Sequence, residues 1–196
     1  MPNSAVVFDL DGTLTAPMLD FDQIRREIGL SAGPILEALQ DMSPADRARA
    51  EIILERHERH AAENSTLHEN ARDVVHALRR RGHPTAILTR NARRWVDVVL
   101  SKHAIQVDAV RTREDGAIKP AAEPVLDLCR RLNADPVASW VVGDYLFDLQ
   151  SGRLAGTRTV LMIADAALPA FADQADFVIR RLDELLRIIP PPNRDG

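Results

Sequence analysis

The stretch that decides the fold reads Ala5-Val6-Val7-Phe8-Asp9-Leu10-Asp11-Gly12-Thr13-Leu14. Its first part, residues 6–8, is short and apolar on both faces, which is typical of a buried parallel strand. Two carboxylates, Asp9 and Asp11, follow directly, and their spacing of two puts them on the same side of an extended chain. The carboxyl ends of strands in an open α/β sheet face the crevice where ligands bind. We therefore expect a ligand site to begin at these two acids.

Two carboxylates held this close repel each other. A divalent cation, a shared proton or a nearby lysine has to compensate them, and this stretch alone leaves the choice open. Gly12 follows at once and permits a sharp turn or a close approach of the backbone to a ligand. The alternative interpretation is a surface strand end with two solvated acids.

Composition limits the class of protein. The chain has 196 residues, 45% hydrophobic and 28% charged, which indicates a soluble globular protein of one large domain or of one domain with an insert. A formal net charge of −4 argues against nucleic acid or an anionic membrane as a partner. The single cysteine, Cys129, excludes an intrachain disulfide framework. Neither a signal peptide nor an apolar run near the ~18 residues of a membrane span is found, so we expect a cytoplasmic monomer or homodimer.

The order of local patterns predicts two domains. After Thr15 the strand pattern gives way to three successive helix patterns that continue to about residue 66. From there strands and helices alternate, with a helix predicted from about Asp148 to Leu154. Strand patterns fall at 6–8, 85–88, 109–110, 139–142, 159–163 and 177–179. Such alternation predicts an α/β fold, a doubly wound, Rossmann-like parallel sheet. We expect a core domain from residues 1–16 and 67–196, and a small helical cap domain, 17–66, as a lid.

Further polar residues follow the later strands. Thr89 ends the second strand, Asp144 ends the fourth, Asp148 comes four residues later, and Lys119 precedes a helix. Because a parallel sheet brings its strand ends to one edge, we expect these side chains to meet Asp9 and Asp11 there. Carboxylates, a lysine and a hydroxyl suit a hard cation with a phosphate, and Mg²⁺ prefers oxygen ligands of the kind that Asp9 and Asp144 offer. Lys119 would offset remaining negative charge, and Thr89 with nearby backbone N–H groups would hold phosphate oxygens.

Four stretches, in this order, resemble the motifs of the haloacid dehalogenase superfamily. They are Asp9-Leu10-Asp11-Gly12-Thr13, Leu88-Thr89, Lys119-Pro120 and Gly143-Asp144-Tyr145-Leu146-Phe147-Asp148. The resemblance is strongest to phosphoglycolate-phosphatase-like members, whose helical cap lies between the first two motifs.

The resemblance implies a role for each site residue. Asp9 is the nucleophile and Asp11 the general acid and base. The phosphoryl group is bound by Thr89, Arg90 and Lys119. The Mg²⁺ ligands are Asp9, the backbone carbonyl of Asp11, and Asp144, with Asp148 assisting.

The function that the resemblance implies is a Mg²⁺-dependent phosphatase. It would hydrolyse a small phosphorylated metabolite, phosphoglycolate-like or a sugar phosphate, through an aspartyl-phosphate. A phosphomutase would use the same residues. A non-enzymatic phospho-receiver domain also combines a parallel sheet with acids, a threonine and a lysine, but the helical insert and Asp144 with Asp148 argue against it. A halocarboxylate dehalogenase is disfavoured, because its chemistry needs neither Asp11 nor a metal. Ala16 and the run at 67–71 depart from the usual pattern, which weakens any transfer of substrate identity.

Overall fold

The computed structural model describes residues 3–164 and 167–191. Six parallel strands form one sheet in the order β3-β2-β1-β4-β5-β6. The strands are β1 (Val6–Phe8), β2 (Thr85–Leu88), β3 (Ala109–Arg111), β4 (Trp140–Gly143), β5 (Arg158–Met162) and β6 (Phe177–Ile179). The expected doubly wound α/β class is confirmed, and β6 is an edge strand.

The strand order places a crevice beside β1. This strand pairs with β2 on one side and with β4 on the other, so Phe8 lies opposite both Ile87 and Val142. The direction in which strands are added reverses between β1 and β4, and ligands bind at such switch points in open α/β sheets. The Asp9 N–H donates to the Val142 carbonyl at 2.9 Å, which continues the pairing past the end of β1. The residues that follow β1 and β4 therefore emerge side by side.

Eight helices connect or flank the strands within the described part of the chain. They are α1 (Phe21–Ile28), α2 (Ile35–Gln40), α3 (Pro44–Asn64), α4 (Ala71–Arg81), α5 (Arg93–Lys102), α6 (Glu123–Arg131), α7 (Leu146–Leu154) and α8 (Leu185–Ile188). The central strand β1 is fully buried, because helices cover the sheet. Val7 packs in one cluster with Val141 of β4 and Leu128 of α6. Among the residues described, no helix combines the length and apolar character needed to cross a membrane.

The chain divides into two compact units, Met1–Pro17 with Thr66–Gly196, and Met18–Ser65. The second unit consists of α1, α2 and α3 around a small apolar core that includes Ile24, Leu39 and Leu54. Two of its helices, α1 and α3, begin at a residue whose side chain caps the first turn. The side chain of Asp20 accepts a hydrogen bond from the Gln23 N–H at 2.8 Å, and Ser43 accepts one from the Asp46 N–H at 3.2 Å.

Helix α7 begins two residues before the predicted start at Asp148. The carboxylate of Asp148 accepts the Tyr145 N–H at 3.1 Å, so it caps the first turn from inside the helix. This carboxylate also lies against Gly143, where an added Cβ would be 2.1 Å from Asp148 Cγ. The capping bond draws the chain into the helix at Leu146, and the glycine allows the carboxylate to approach the end of β4.

Candidate active site

Three carboxylates meet at the carboxyl edge of the sheet. Asp9 follows β1, Asp144 follows β4, and Asp148 lies in the first turn of α7. One oxygen from each of the three lies within 4.8 Å of the other two. Oxygens grouped at this distance can share one small hard cation. All three side chains were expected from the sequence to meet at this edge of the sheet, and the structure brings them together there.

Lys119 is the cation that lies among these acids. It is 3% exposed, and its Nζ lies 2.7 Å from Asp9 Oδ1 and 2.6 Å from Asp148 Oδ1. Burial acts to lower the pKa of Lys119, but Asp148 and Asp9 together raise it above its usual value. The side chain is therefore a permanently charged ammonium that holds Asp9 and Asp148 on either side.

One ammonium does not balance three carboxylates. Burial, together with the charges of Asp9 and Asp148, raises the pKa of Asp144 well above its ordinary range. Burial also raises the pKa of Asp148 to about 6, although the charge of Lys119 opposes this shift. Burial likewise raises the pKa of Asp9. With all three carboxyl groups ionised the site would carry excess negative charge, which a bound proton or a divalent cation relieves.

The turn after Asp11 contacts Asp144 directly. The Thr13 hydroxyl donates to Asp144 Oδ1 at 2.9 Å. Gly12 has a φ of +87°, and an added Cβ there would be 2.3 Å from Asp144 Oδ2. Only glycine satisfies both the backbone conformation and the space, because a side chain would displace the Asp144 carboxylate.

Asp11 is held on the β2 side of the site. Its Oδ2 accepts a hydrogen bond from Asn91 Nδ2 at 3.0 Å. It remains close enough to Asp9 for its charge to raise the pKa of that carboxyl group. Asp11 does not belong to the three-carboxylate group described above. The two acids of the opening stretch therefore have different partners, Lys119 for Asp9 and Asn91 for Asp11.

The predicted phosphate-binding residues come from two adjoining loops. Thr89 is buried, and its Oγ1 accepts the Asn91 N–H at 3.1 Å. Arg90 Nη1 donates to the carbonyl of Lys119 at 2.6 Å, and its guanidinium carbon lies 4.8 Å from the centre of the Phe147 ring. Arg90 therefore ties the loop after β2 to the loop that carries Lys119.

Two further residues, Thr13 and Asn91, contact the site acids, and no role was predicted for either from the sequence. Both are polar and buried, at 0% and 4% exposure. Each follows a buried strand within a few residues, Thr13 after β1 and Asn91 after β2. The sequence does carry a signal for both residues. Each is a hydroxyl or an amide that comes shortly after a buried strand and two residues after a predicted site residue, Asp11 or Thr89.

Comparison with known proteins gives consistent findings. Residues 6–162 match a family model described as haloacid dehalogenase-like hydrolase. The pyrophosphatase PpaX of Bacillus cereus is 29% identical, in an alignment covering 99% of this chain and 100% of that protein. The structure of a hydrolase from Pseudomonas syringae superimposes with a TM-score of 0.80 at 16% identity, covering 94% of this chain and 97% of that one. A predicted phosphoglycolate phosphatase from Haemophilus somnus superimposes with a TM-score of 0.76 at 18% identity, covering 96% and 98%. At these identities the two structures establish a shared fold.

Proposed function

The chain belongs to the haloacid dehalogenase-like hydrolase family, and on that premise we propose that it is a Mg²⁺-dependent phosphatase of a small phosphorylated metabolite. The bound substrate would be phosphoglycolate-like or a sugar phosphate. Catalysis would pass through an aspartyl-phosphate on Asp9. The relative named as a pyrophosphatase adds inorganic pyrophosphate to the candidate substrates.

The observation that carries the proposal is the excess negative charge beside Asp9. Three carboxylates, of which Asp148 is buried and Asp9 and Asp144 are partly exposed, lie beside one ammonium, and one oxygen from each lies within 4.8 Å of the other two. This donor set fits Mg²⁺, which prefers oxygen ligands and often binds one or two carboxylates with substrate oxygens. Asp9, Asp144 and the Asp11 backbone carbonyl would hold the ion. Bound there, Mg²⁺ supplies positive charge to the phosphoryl oxygens.

Asp9 and Asp11 perform the two chemical roles. The Asp9 carboxylate attacks phosphorus and forms the aspartyl-phosphate, while Asp11 gives a proton to the departing oxygen of the substrate. Asp11 then takes a proton from the water that hydrolyses the intermediate. Dividing the reaction into two displacements lowers each barrier, and a positioned proton-transfer group typically contributes ~10²–10⁴ in rate.

Lys119 and Thr89 stabilise the charge that spreads over the transferring phosphoryl group. The Lys119 ammonium lies 2.7 Å from Asp9 Oδ1, so it is in place beside the reacting oxygen. The Thr89 oxygen accepts the Asn91 N–H, an arrangement in which its hydroxyl hydrogen serves as the donor toward phosphate. Asp148 accepts from both Lys119 and the Tyr145 N–H, which suits it to holding the lysine more than to binding the metal directly.

Residues 17–66 form the proposed cap domain, and no residue of this segment has a role in the reaction scheme. A cap acts by excluding water and gripping the part of the substrate that does not react. Replacing residues 18–65 by a short Gly/Ser linker should spare some turnover of 4-nitrophenyl phosphate, whose leaving group needs little help. Turnover of the physiological ester should fall much further. Circular dichroism checks that the truncated protein folds, and an unchanged ranking of substrates would contradict the cap role.

The proposed function predicts release of inorganic phosphate that requires Mg²⁺. A panel of phosphoglycolate, sugar phosphates, pyrophosphate and 4-nitrophenyl phosphate should contain at least one good substrate, and EDTA should abolish its turnover. Accumulating phosphate separates a phosphatase from a mutase, which returns the phosphoryl group to its substrate. Stable phosphorylation without turnover of any ester would instead indicate a receiver domain and would overturn the proposal.

A further inference from the structure

Asn91 contacts the proton-transfer group of the proposed reaction. The residue lies between β2 and α5 and is 4% exposed. Its Nδ2 donates to Asp11 Oδ2 at 3.0 Å, while its Oδ1 accepts the Ala92 N–H at 2.7 Å. The bond from Ala92 sets the orientation of the side-chain amide, since a flipped amide would bring two N–H donors together. The face that Asn91 presents to Asp11 is therefore a donor.

From this geometry we infer that Asn91 is a positioning residue, which holds the Asp11 carboxylate in the place from which it transfers protons. The inference rests on the proposed function, because Asp11 acts as the acid and base only in that reaction. In this scheme Asn91 acts through Asp11 and does not itself bind the substrate or transfer a proton.

Asp11 needs such a restraint because of its neighbours. The negative charges of Asp9 and Asp11 repel each other, and the next residue, Gly12, is the least restricted in its backbone. A buried N–H donor offsets the charge of Asp11 and holds the carboxylate beside the residues that follow β2. When Asp11 carries a proton, the donor facing Oδ2 leaves that proton on Oδ1.

The same turn also holds a second part of the site. The backbone N–H of Asn91 donates to Thr89 Oγ1 at 3.1 Å. One short segment thus orients the hydroxyl proposed to bind phosphate and the carboxylate proposed to move protons. Because small misplacements of reacting groups have large effects on rate, both contacts bear on the chemical step.

A change in leaving group separates this role from a structural one. Asn91→Asp keeps the size of the side chain and the acceptor for the Ala92 N–H, but it replaces the donor to Asp11 by a carboxylate. Assays near pH 8 favour the ionised form of that carboxyl group, although burial beside Asp11 raises its pKa. We expect kcat/KM for phenyl phosphate, whose leaving group needs a proton, to fall about 10²-fold. The value for 4-nitrophenyl phosphate should fall less than about 10-fold, because its leaving group departs with little protonation.

A second background tests whether the effect passes through Asp11. In an Asp11→Ala protein, the additional change Asn91→Asp should leave the residual turnover of 4-nitrophenyl phosphate within about twofold, since coupled residues are not additive. Asn91→Ala, which also loses the acceptor for Ala92, reports the structural contribution through its thermal melting.

The outcomes are distinct. Wild-type rates in Asn91→Asp, equal losses on both esters, or a full further loss in the Asp11→Ala background would each overturn the positioning role. Absence of Mg²⁺-dependent turnover of both esters by the wild-type protein would overturn the proposed function instead.

Discussion

We expect Asp9→Asn to lower kcat by about 10⁴-fold or more, because in the proposed reaction the amide cannot attack phosphorus and no aspartyl-phosphate forms. The substitution nearly preserves the shape of the side chain. Lys119 keeps its contact with Asp148, at 2.6 Å, so the fold of the site is maintained. Steady-state phosphate release from the best substrate of the panel measures the loss.

The matched control is Asp97→Asn, a substitution of the same kind at an exposed position of α5. It should leave kcat within about twofold, since surface substitutions away from a site rarely matter. Mass spectrometry of the Asp9→Asn protein excludes deamidation back to aspartate. Substantial Mg²⁺-dependent activity in a pure, folded Asp9→Asn protein would falsify the nucleophile assignment.

We expect Asp144→Asn to lower the affinity for Mg²⁺ by about 100-fold or more. Calorimetric titration of the substrate-free protein with Mg²⁺ measures it without reference to activity. Removing a group that only orients a ligand typically weakens metal binding 10–100-fold, and removing a charged ligand should exceed that range. Thr13→Val, which deletes the hydroxyl that donates to Asp144 at 2.9 Å, should weaken binding about 10-fold. Equal losses in the two variants would mean that Asp144 does not bind the ion directly.

Asp144→Asn should also stabilise the metal-free protein. The pKa of Asp144 is higher in the folded state than in the unfolded state, so the native protein binds more protons at a pH between the two values. The free energy of unfolding therefore falls as the pH rises from the unfolded-state pKa to the folded-state pKa. At neutral pH the asparagine amide of the variant carries no charge, so the variant does not lose this stability. Its thermal midpoint without Mg²⁺ should rise by about 2–4 °C for each kcal/mol relieved.

Saturating Mg²⁺ should reverse the ranking of the two proteins. It stabilises the wild type by about 2.7 kcal/mol at a hundredfold excess over Kd, whereas the variant gains little. A variant that melts below the metal-free wild type would show that Asp144 serves the fold instead of the metal.

Local sequence was sufficient to predict the strands and the acids at their ends. The apolar run at 6–8, followed by Asp9, predicts a buried parallel strand that opens onto a ligand site, and β1 is such a strand. Strand and helix periods depend on neighbouring residues, so they can be recognised without knowing the fold. The helix caps at Asp20 and Ser43 are equally local, because each side chain accepts a backbone N–H only three residues further along the chain.

Only the tertiary structure decided which partner each acid has. Lys119 bridges Asp9 and Asp148, and Asn91 bonds to Asp11, across gaps in sequence that no local pattern spans. These pairings depend on strand order. The placement of β2 and β4 beside β1 brings the residues that follow them to the two sides of Asp9, and Lys119 reaches the site from the segment after β3. The raised pKa of Asp144 depends on burial, which exists only once the chain is folded. The sequence by itself therefore determined the fold class and which acids reach the sheet edge, while the partner of each acid arose from packing.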